Sequence, residues 1–210
     1  WTNDTTRRDP IWLQDGIYVN SGIWGSMPVK RGKYLGTIRL TQSGATTDTG
    51  EPAAGTTSKR FVWNNYNRIP QRMRVIEDAD SWTYSTASYR SVNNDNTNRC
   101  EFVIGLAEEP VTAQAIGGCV GTDVGGTYGQ VGVGIDSTTV NSAQLLSSFT
   151  APATAASAAT ICNYKGNPVL GYHFFQWLEN APQGVATVTW YGDAAIPTVY
   201  QTGMEVEVWG

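Results

Sequence analysis

PVLGYHFFQWLENAPQGVATVTWYGDAAIPTVYQTGMEVEVWG, residues 168–210, holds three runs whose side chains alternate with a period of two. In the last run, Gln201 to Trp209, Met204, Val206 and Val208 face one way and Glu205 and Glu207 the other, which makes a strand with one polar face. In the first, Val169 to Glu179, His173, Phe175 and Trp177 share a face, and Tyr172, Phe174 and Gln176 share its opposite. Both faces are largely apolar, so this strand is expected to be buried on both sides. Val185 to Tyr191 is the third run, and Gln183-Gly184 and Gly192-Asp193 supply the turns.

The rest of the chain repeats the pattern in shorter pieces. Gly16 to Asn20, Tyr34 to Thr41, Met73 to Ile76, Ser81 to Thr86, Cys100 to Leu106, Val111 to Val120, Gln130 to Ile135 and Thr160 to Tyr164 all read as strands. Lys59 to Arg68 is ambiguous between an aromatic-rich strand and a short helix capped by Ser58 and ended before Pro70. Gly25 to Gly32, Gln42 to Ser58, Asn93 to Asn98 and Ser147 to Ala159 are loops or turns. Val, Ile, Thr, Tyr, Phe and Trp total 77 of 210 residues, against 8 Leu, 8 Glu and 4 Lys, a balance that favours strands over helices. The expectation is an all-β chain: one domain over residues 1–210, a jelly-roll-like β-sandwich with long surface loops. Coiled coils, helical bundles and disordered tails are excluded by composition. No apolar run reaches the roughly 20 residues of a spanning helix, and membrane insertion is not expected.

Charge is sparse, at 15%, and unevenly spread. Residues 1–105 carry 13 Lys and Arg against 10 acids, and residues 106–210 carry only Lys165 against 8. The basic residues are scattered, with Arg7, Arg8 and Lys30, Arg31 the only exposed-looking pairs, and no nucleic-acid-binding motif accompanies them, so nucleic acid is not an expected partner. Complementary surfaces within or between subunits explain the asymmetry. Cys100, Cys119 and Cys162 are odd in number and follow no metal-ligand spacing, which suits buried thiols made in a reducing compartment. The chain starts at Trp1 rather than Met, so it is expected to be processed or a segment of something longer.

His173 is the lone histidine, and its place in a strand suits a hydrogen-bonded structural role better than a catalytic one. Nucleophile elbows, phosphate-binding loops and zinc patterns are missing. Glu77, Asp78 and Asp80, beside Trp82 and Tyr84, form the one conspicuous acidic and aromatic cluster. A solvated turn is its first reading; a calcium or glycan contact, or paired-carboxylate catalysis, are the others. Glycan recognition needs an aromatic face with polar groups around it. Asp78, Asp80, Trp82 and Tyr84 offer that combination, and so does Tyr89 with Arg90, Asn94 and Asp95. Alternation puts Trp82 and Tyr84 on the same face, so both could instead point into the core. No cofactor, resident metal or catalytic residue is expected.

Several ordered motifs go beyond generic β-sequence: Tyr-Leu-Gly-Thr from 34, Trp-x-x-Tyr-Asn-Arg from 63, Ser-Trp-x-Tyr from 81, Asp-Ser-Thr from 136, then GYHFFQWLE, VATVTWYGD and the terminal TGMEVEVWG. Across about residues 15–146 and 168–210 the chain resembles a domain of virion appendage proteins (tail fibres, head fibres or spikes) of tailed bacteriophages and phage-like gene transfer agents. The resemblance carries no catalytic motif. It implies a non-enzymatic structural module on the virion, assembled in the host bacterial cytoplasm, that binds a host cell-surface glycan. It also implies a homotrimer with the aromatic C-terminal strands near the threefold contact, other virion structural proteins as partners, and a shaft upstream of Trp1. The alternative from a different class is a tailspike-type enzyme that degrades polysaccharide with carboxylates.

Overall fold

The computed structural model describes residues 36–41, 46–121, 128–150, 157–167, 170–183, 187–193 and 201–210, together with the backbone of five strands before residue 36. Those five are β1 (Thr5–Thr6), β2 (Trp12–Leu13), β3 (Ile17–Asn20), β4 (Ile23–Ser26) and β5 (Gly32–Lys33). Then follow β6 (Gly36–Ile38), β7 (Asp48–Thr49), β8 (Ser58–Arg60), β9 (Val62–Asn64), β10 (Pro70–Ile76), β11 (Ser81–Tyr84), β12 (Arg90–Ser91) and β13 (Arg99–Ile104). The remainder are β14 (Val111–Gly121), β15 (Tyr128–Ile135), β16 (Leu145–Leu146), β17 (Phe149–Thr150), β18 (Ser157–Gly166), β19 (Gly171–Asn180), β20 (Val188–Tyr191) and β21 (Gly203–Trp209). A single 3-10 turn, Val92–Asn94, is the only helix among the described residues. Gly184 of the expected Gln183-Gly184 turn, most of the Gly25 to Gly32 turn, the two exposed-looking basic pairs and part of the Gln42 to Ser58 and Ser147 to Ala159 loops lie outside the described residues.

One sheet runs β10-β21-β14-β18 and the other β13-β19-β15-β17, each with extra strands at its margins. Numbered from one to eight along the chain, these strands lie in the orders 1-8-3-6 and 2-7-4-5. That is the strand order of a jelly roll, two interlocked Greek keys. The alternation read from the sequence decides what fills it. Met73, Val75, Met204, Val206, Ala115, Cys119 and Cys162 of one sheet meet Cys100, Phe102, Val131, Val133, Phe175 and Trp177 of the other in one buried cluster. All three thiols are free and buried there.

Lys59 to Arg68 resolves as two short strands and a bend: β8 joins the second sheet parallel to β13, β9 pairs with β6, and residues 65–68 leave the ribbon. No helix forms, because Phe61 and Trp63 on one face of this run meet Val103 and Leu106 in a second buried cluster. Burying two aromatics against a sheet outweighs a marginal one-turn helix. Along Tyr34 to Thr41, Thr37 and Arg39 turn to the body, where Arg39 stacks 3.5 Å over Tyr172, while Ile38 and Leu40 are exposed.

Burial of both faces of β19 needs no second subunit. Gln176, Leu178 and Asn180 are buried within the chain: the Gln176 side chain donates to the Asn98 carbonyl at 2.9 Å, and the Leu178 side chain lies against Gly134.

Candidate functional site

Three strands of the sandwich are broken at one level. β10 and β11 are collinear, pairing successively with β21 and β20, which are themselves collinear along β14. In the second sheet β13 and β12 lie end to end along β19. The breaks at 77–80 and 92–98 therefore bulge from neighbouring edges of the two sheets, and residues 192–193 adjoin them, with the Gly192 and Asp193 amides donating to the carbonyls of Asp80 and Ala79.

Glu77 ties these loops together. Its carboxylate accepts the Ala79 amide at 3.1 Å, the Asn93 side chain at 3.3 Å and the Asn98 side chain at 2.5 Å. The residue is buried, so it is not part of a solvated turn. Asn93 and Asn94 adopt left-handed backbone, φ +53° and +56°, which Asn tolerates better than other side chains. Asp95 holds the following turn by accepting the Thr97 amide and hydroxyl, each at 2.8 Å. The Thr97 hydroxyl oxygen also lies 3.1 Å from the Gly55 carbonyl, sharing its one proton between that oxygen and Asp95, and Thr57 donates to the Thr97 carbonyl at 2.9 Å. Residues 51–57, 77–80 and 92–98 thus form one cross-braced surface. Asp78, Asp80 and Asn94 project from it exposed, and Asp95 is half-buried.

Trp82, Tyr84 and Arg90 form a second cluster around an acid from elsewhere in the chain. Glu179, wholly buried, accepts the Trp82 indole N–H at 2.5 Å and the Arg90 Nε–H at 2.7 Å. The Arg90 guanidinium lies 3.9 Å over the Tyr84 ring. Trp82 and Tyr84 share a face, half-buried and packed against the main core. Burial pushes the Glu179 carboxyl up to about 7, against the opposing pull of Trp82, Arg90 and the Asn93 backbone. Asn93 therefore touches both buried acids, Glu77 by its side chain and Glu179 by its backbone. Tyr89 stands apart, half-buried, its hydroxyl donating to Gln130 at 3.4 Å. The eight residues expected at a site thus fall into a loop surface, an indole–carboxylate–guanidinium cluster and the separate Tyr89.

Sequence reading missed a groove of about 450 Å³ across the outer face of the first sheet. Register sets its floor in two polar rows: Arg72, Glu207, Thr112 and Lys165, then Arg74, Glu205, Gln114 and Asn163. Its ion pairs are loose and exposed, Arg72 to Glu205 at 3.7 Å and Arg74 to Glu51 at 3.9 Å. Such pairs contribute little to stability and leave donors and acceptors free for a hydroxylated ligand. The signal was present in the alternation of Arg72 with Arg74 and of Glu205 with Glu207.

His173 is structural: its Nδ1 lies 2.7 Å from an Asp136 carboxylate oxygen, and the other oxygen accepts the Phe174 amide at 2.9 Å. Among the described residues no group of three or more His, Cys, Asp or Glu is placed to hold a metal ion.

No protein-family model matches the chain, and no curated protein matches it. The geometry above and the sequence resemblance are what a functional reading rests on.

Proposed function

We propose that this chain is a structural and surface-recognition module of a bacteriophage or phage-like virion appendage, a fibre or spike that contacts a host cell-surface glycan without cleaving it. The observation that carries the reading is the braced loop surface. Glu77, Asn93, Asn98, Asp95 and Thr97 hold three loops in fixed positions at the edge of a jelly roll, with Asp78, Asp80 and Asn94 presented outward. A scaffold that fixes its loops loses little entropy when they bind. The module assembles as a homotrimer in the bacterial cytoplasm alongside other virion proteins, and its buried thiols suit that compartment. Trp82 and Tyr84 serve the fold more than the ligand, since one is bonded to Glu179 and the other is stacked under Arg90.

The test is adsorption of particles carrying Asp78→Ala with Asp80→Ala. Both side chains are exposed, so folding and assembly should be unchanged and adsorption to host cells reduced. Unchanged adsorption by intact particles would remove the loop surface from the reading.

One observation favours the enzymatic alternative: Glu179 titrates near the range of a general acid. Both its oxygens are already taken by Trp82 and Arg90, and it has no exposed surface. Oligosaccharide release from host capsular polysaccharide, lost in Glu179→Gln, would establish that alternative and end the binding-only reading.

A further inference from the structure

We propose that the groove on the outer face of the first sheet is a second binding site of this chain, built for an uncharged oligosaccharide. Its charges cancel: Arg72, Arg74 and Lys165 stand among Glu51, Glu205 and Glu207. A polyanion would meet the carboxylates there and a polycation the positive groups, so a neutral ligand is the one the field admits without repulsion. The two signs are also interleaved. Register sets Arg72 beside Glu207 and Arg74 beside Glu205, so each carboxylate of β21 has a guanidinium on the next strand. The Arg72–Glu205 and Arg74–Glu51 pairs stand 3.7 Å and 3.9 Å apart, too far for direct hydrogen bonds. A hydroxyl set between such partners accepts from the guanidinium and donates to the carboxylate.

The rest of the floor continues this chemistry. The Gln114 amide donates to Asn163 Oδ1 at 3.0 Å, which leaves the Gln114 oxygen as an acceptor and the Asn163 nitrogen as a donor. The next row along the same face is apolar, Gly203, Ile116 and Ile161, with both isoleucines exposed. Leu145, paired beside Asn163 at the β18 margin, is exposed as well. A sugar ring is divided in the same way, with hydroxyls at its rim and C–H groups on its faces. Size argues against a second protein as the occupant. Four strands about 4.8 Å apart and three rows about 6.8 Å apart make a floor of roughly 400 Å², about half of what each partner gives to a stable protein interface. β21 and β14 are paired on both sides, so a peptide finds no strand edge to extend on this floor. The groove's volume of about 450 Å³ falls in the range of small-ligand sites. The inference rests on the groove alone and stands whether or not the loop surface contacts a glycan.

The experiment screens the full chain on a printed array of uncharged and uronic-acid oligosaccharides. The uncharged oligosaccharide that binds most strongly is then titrated into protein with isotope-labelled isoleucine δ1 methyls. The Ile116 and Ile161 methyl resonances should shift and that of buried Ile104 should not. Gln114→Ala with Glu205→Ala alters two exposed positions, should keep the near-ultraviolet circular dichroism of the parent, and should weaken binding about tenfold. No uncharged oligosaccharide bound, stronger binding of the uronic-acid set, or shifts confined to other isoleucines would each overturn the proposal. So would undiminished binding by the folded double variant. Before any sugar is added, a soluble gadolinium chelate should broaden the Ile116 and Ile161 methyls. If they are shielded from it, another copy of the chain covers this face and the proposal falls.

Discussion

The indole N–H of Trp82 donates to the buried carboxylate of Glu179 at 2.5 Å, joining residues 97 positions apart across the end of the sandwich. Burial is the stronger influence on this acid and raises it from 4.5 to about 7. The folded state then holds a proton that the unfolded chain has released between those two values. The stability Glu179 contributes is full below pH 4.5 and is lost as pH rises through about 7. The loss is on the order of 3 kcal/mol. Urea titrations between pH 4.5 and 8 should show this slope in the parent chain and not in Glu179→Gln, since the difference between the two isolates one group. Trp82→Phe removes the indole donor and should cost roughly 1–3 kcal/mol.

Glu77 should be the more damaging acid to lose. Glu77→Ala leaves the Asn93 and Asn98 side-chain amides and the Ala79 amide without their shared acceptor, at an expected cost of roughly 3 kcal/mol. Hydrogen exchange locates the damage. The Trp177 amide, which donates to the Asn98 carbonyl at 3.0 Å, should lose protection before amides of β14 and β18 do. Uniform loss of protection across both sheets would show that Glu77 acts on global stability and not on the loop.

What the sequence disclosed follows the reach of its signals. Alternation along Val169 to Glu179 groups His173, Phe175 and Trp177 on one face, because a period of two is a local property; that Phe175 and Trp177 meet the core is decided by the strands packed opposite. The same period in Tyr34 to Thr41 separates Ile38 and Leu40 from Thr37 and Arg39 but cannot say which side meets the body; Phe61 and Trp63 decide that from another strand. The aromatic and acidic residues near 77–84 were visible as a cluster, yet the acid that binds Trp82 is Glu179, which looks like the polar end of a strand before a turn. Collinear strands broken at a common level are invisible locally, since each break resembles an ordinary turn and only the register of a third strand shows that both halves continue one line.

The thiols offer a sensitive probe of the sandwich. Burial raises all three, Cys119 and Cys162 to about 12 and Cys100 further still, so almost no thiolate exists at neutral pH. Native protein should consume no thiol reagent over hours at pH 7.5 and three equivalents after denaturation. One fast equivalent in the native protein would mean that a sheet edge opens locally.

Asp136 combines backbone and side-chain roles that three variants can separate. It sits at φ +51° after β15, where one carboxylate oxygen faces Nδ1 of His173 and the other accepts the Phe174 amide. A carboxylate only accepts, so Nδ1 is the protonated ring nitrogen. Asp136→Asn keeps a side chain that tolerates left-handed backbone and an oxygen for one of the two donors, and should cost about 1 kcal/mol. Asp136→Gly loses both hydrogen bonds but meets no backbone penalty. Asp136→Ala loses both bonds and pays that penalty, which is about 1 kcal/mol. The expected order of stability is therefore Asp, Asn, Gly, Ala, measured as midpoints of urea unfolding. Ala equal to Gly would mean that the left-handed turn relaxes once the His173 contact is gone. Asn below Gly would mean that its amide N–H₂, set against the His173 Nδ1–H donor, costs more than the retained bond contributes.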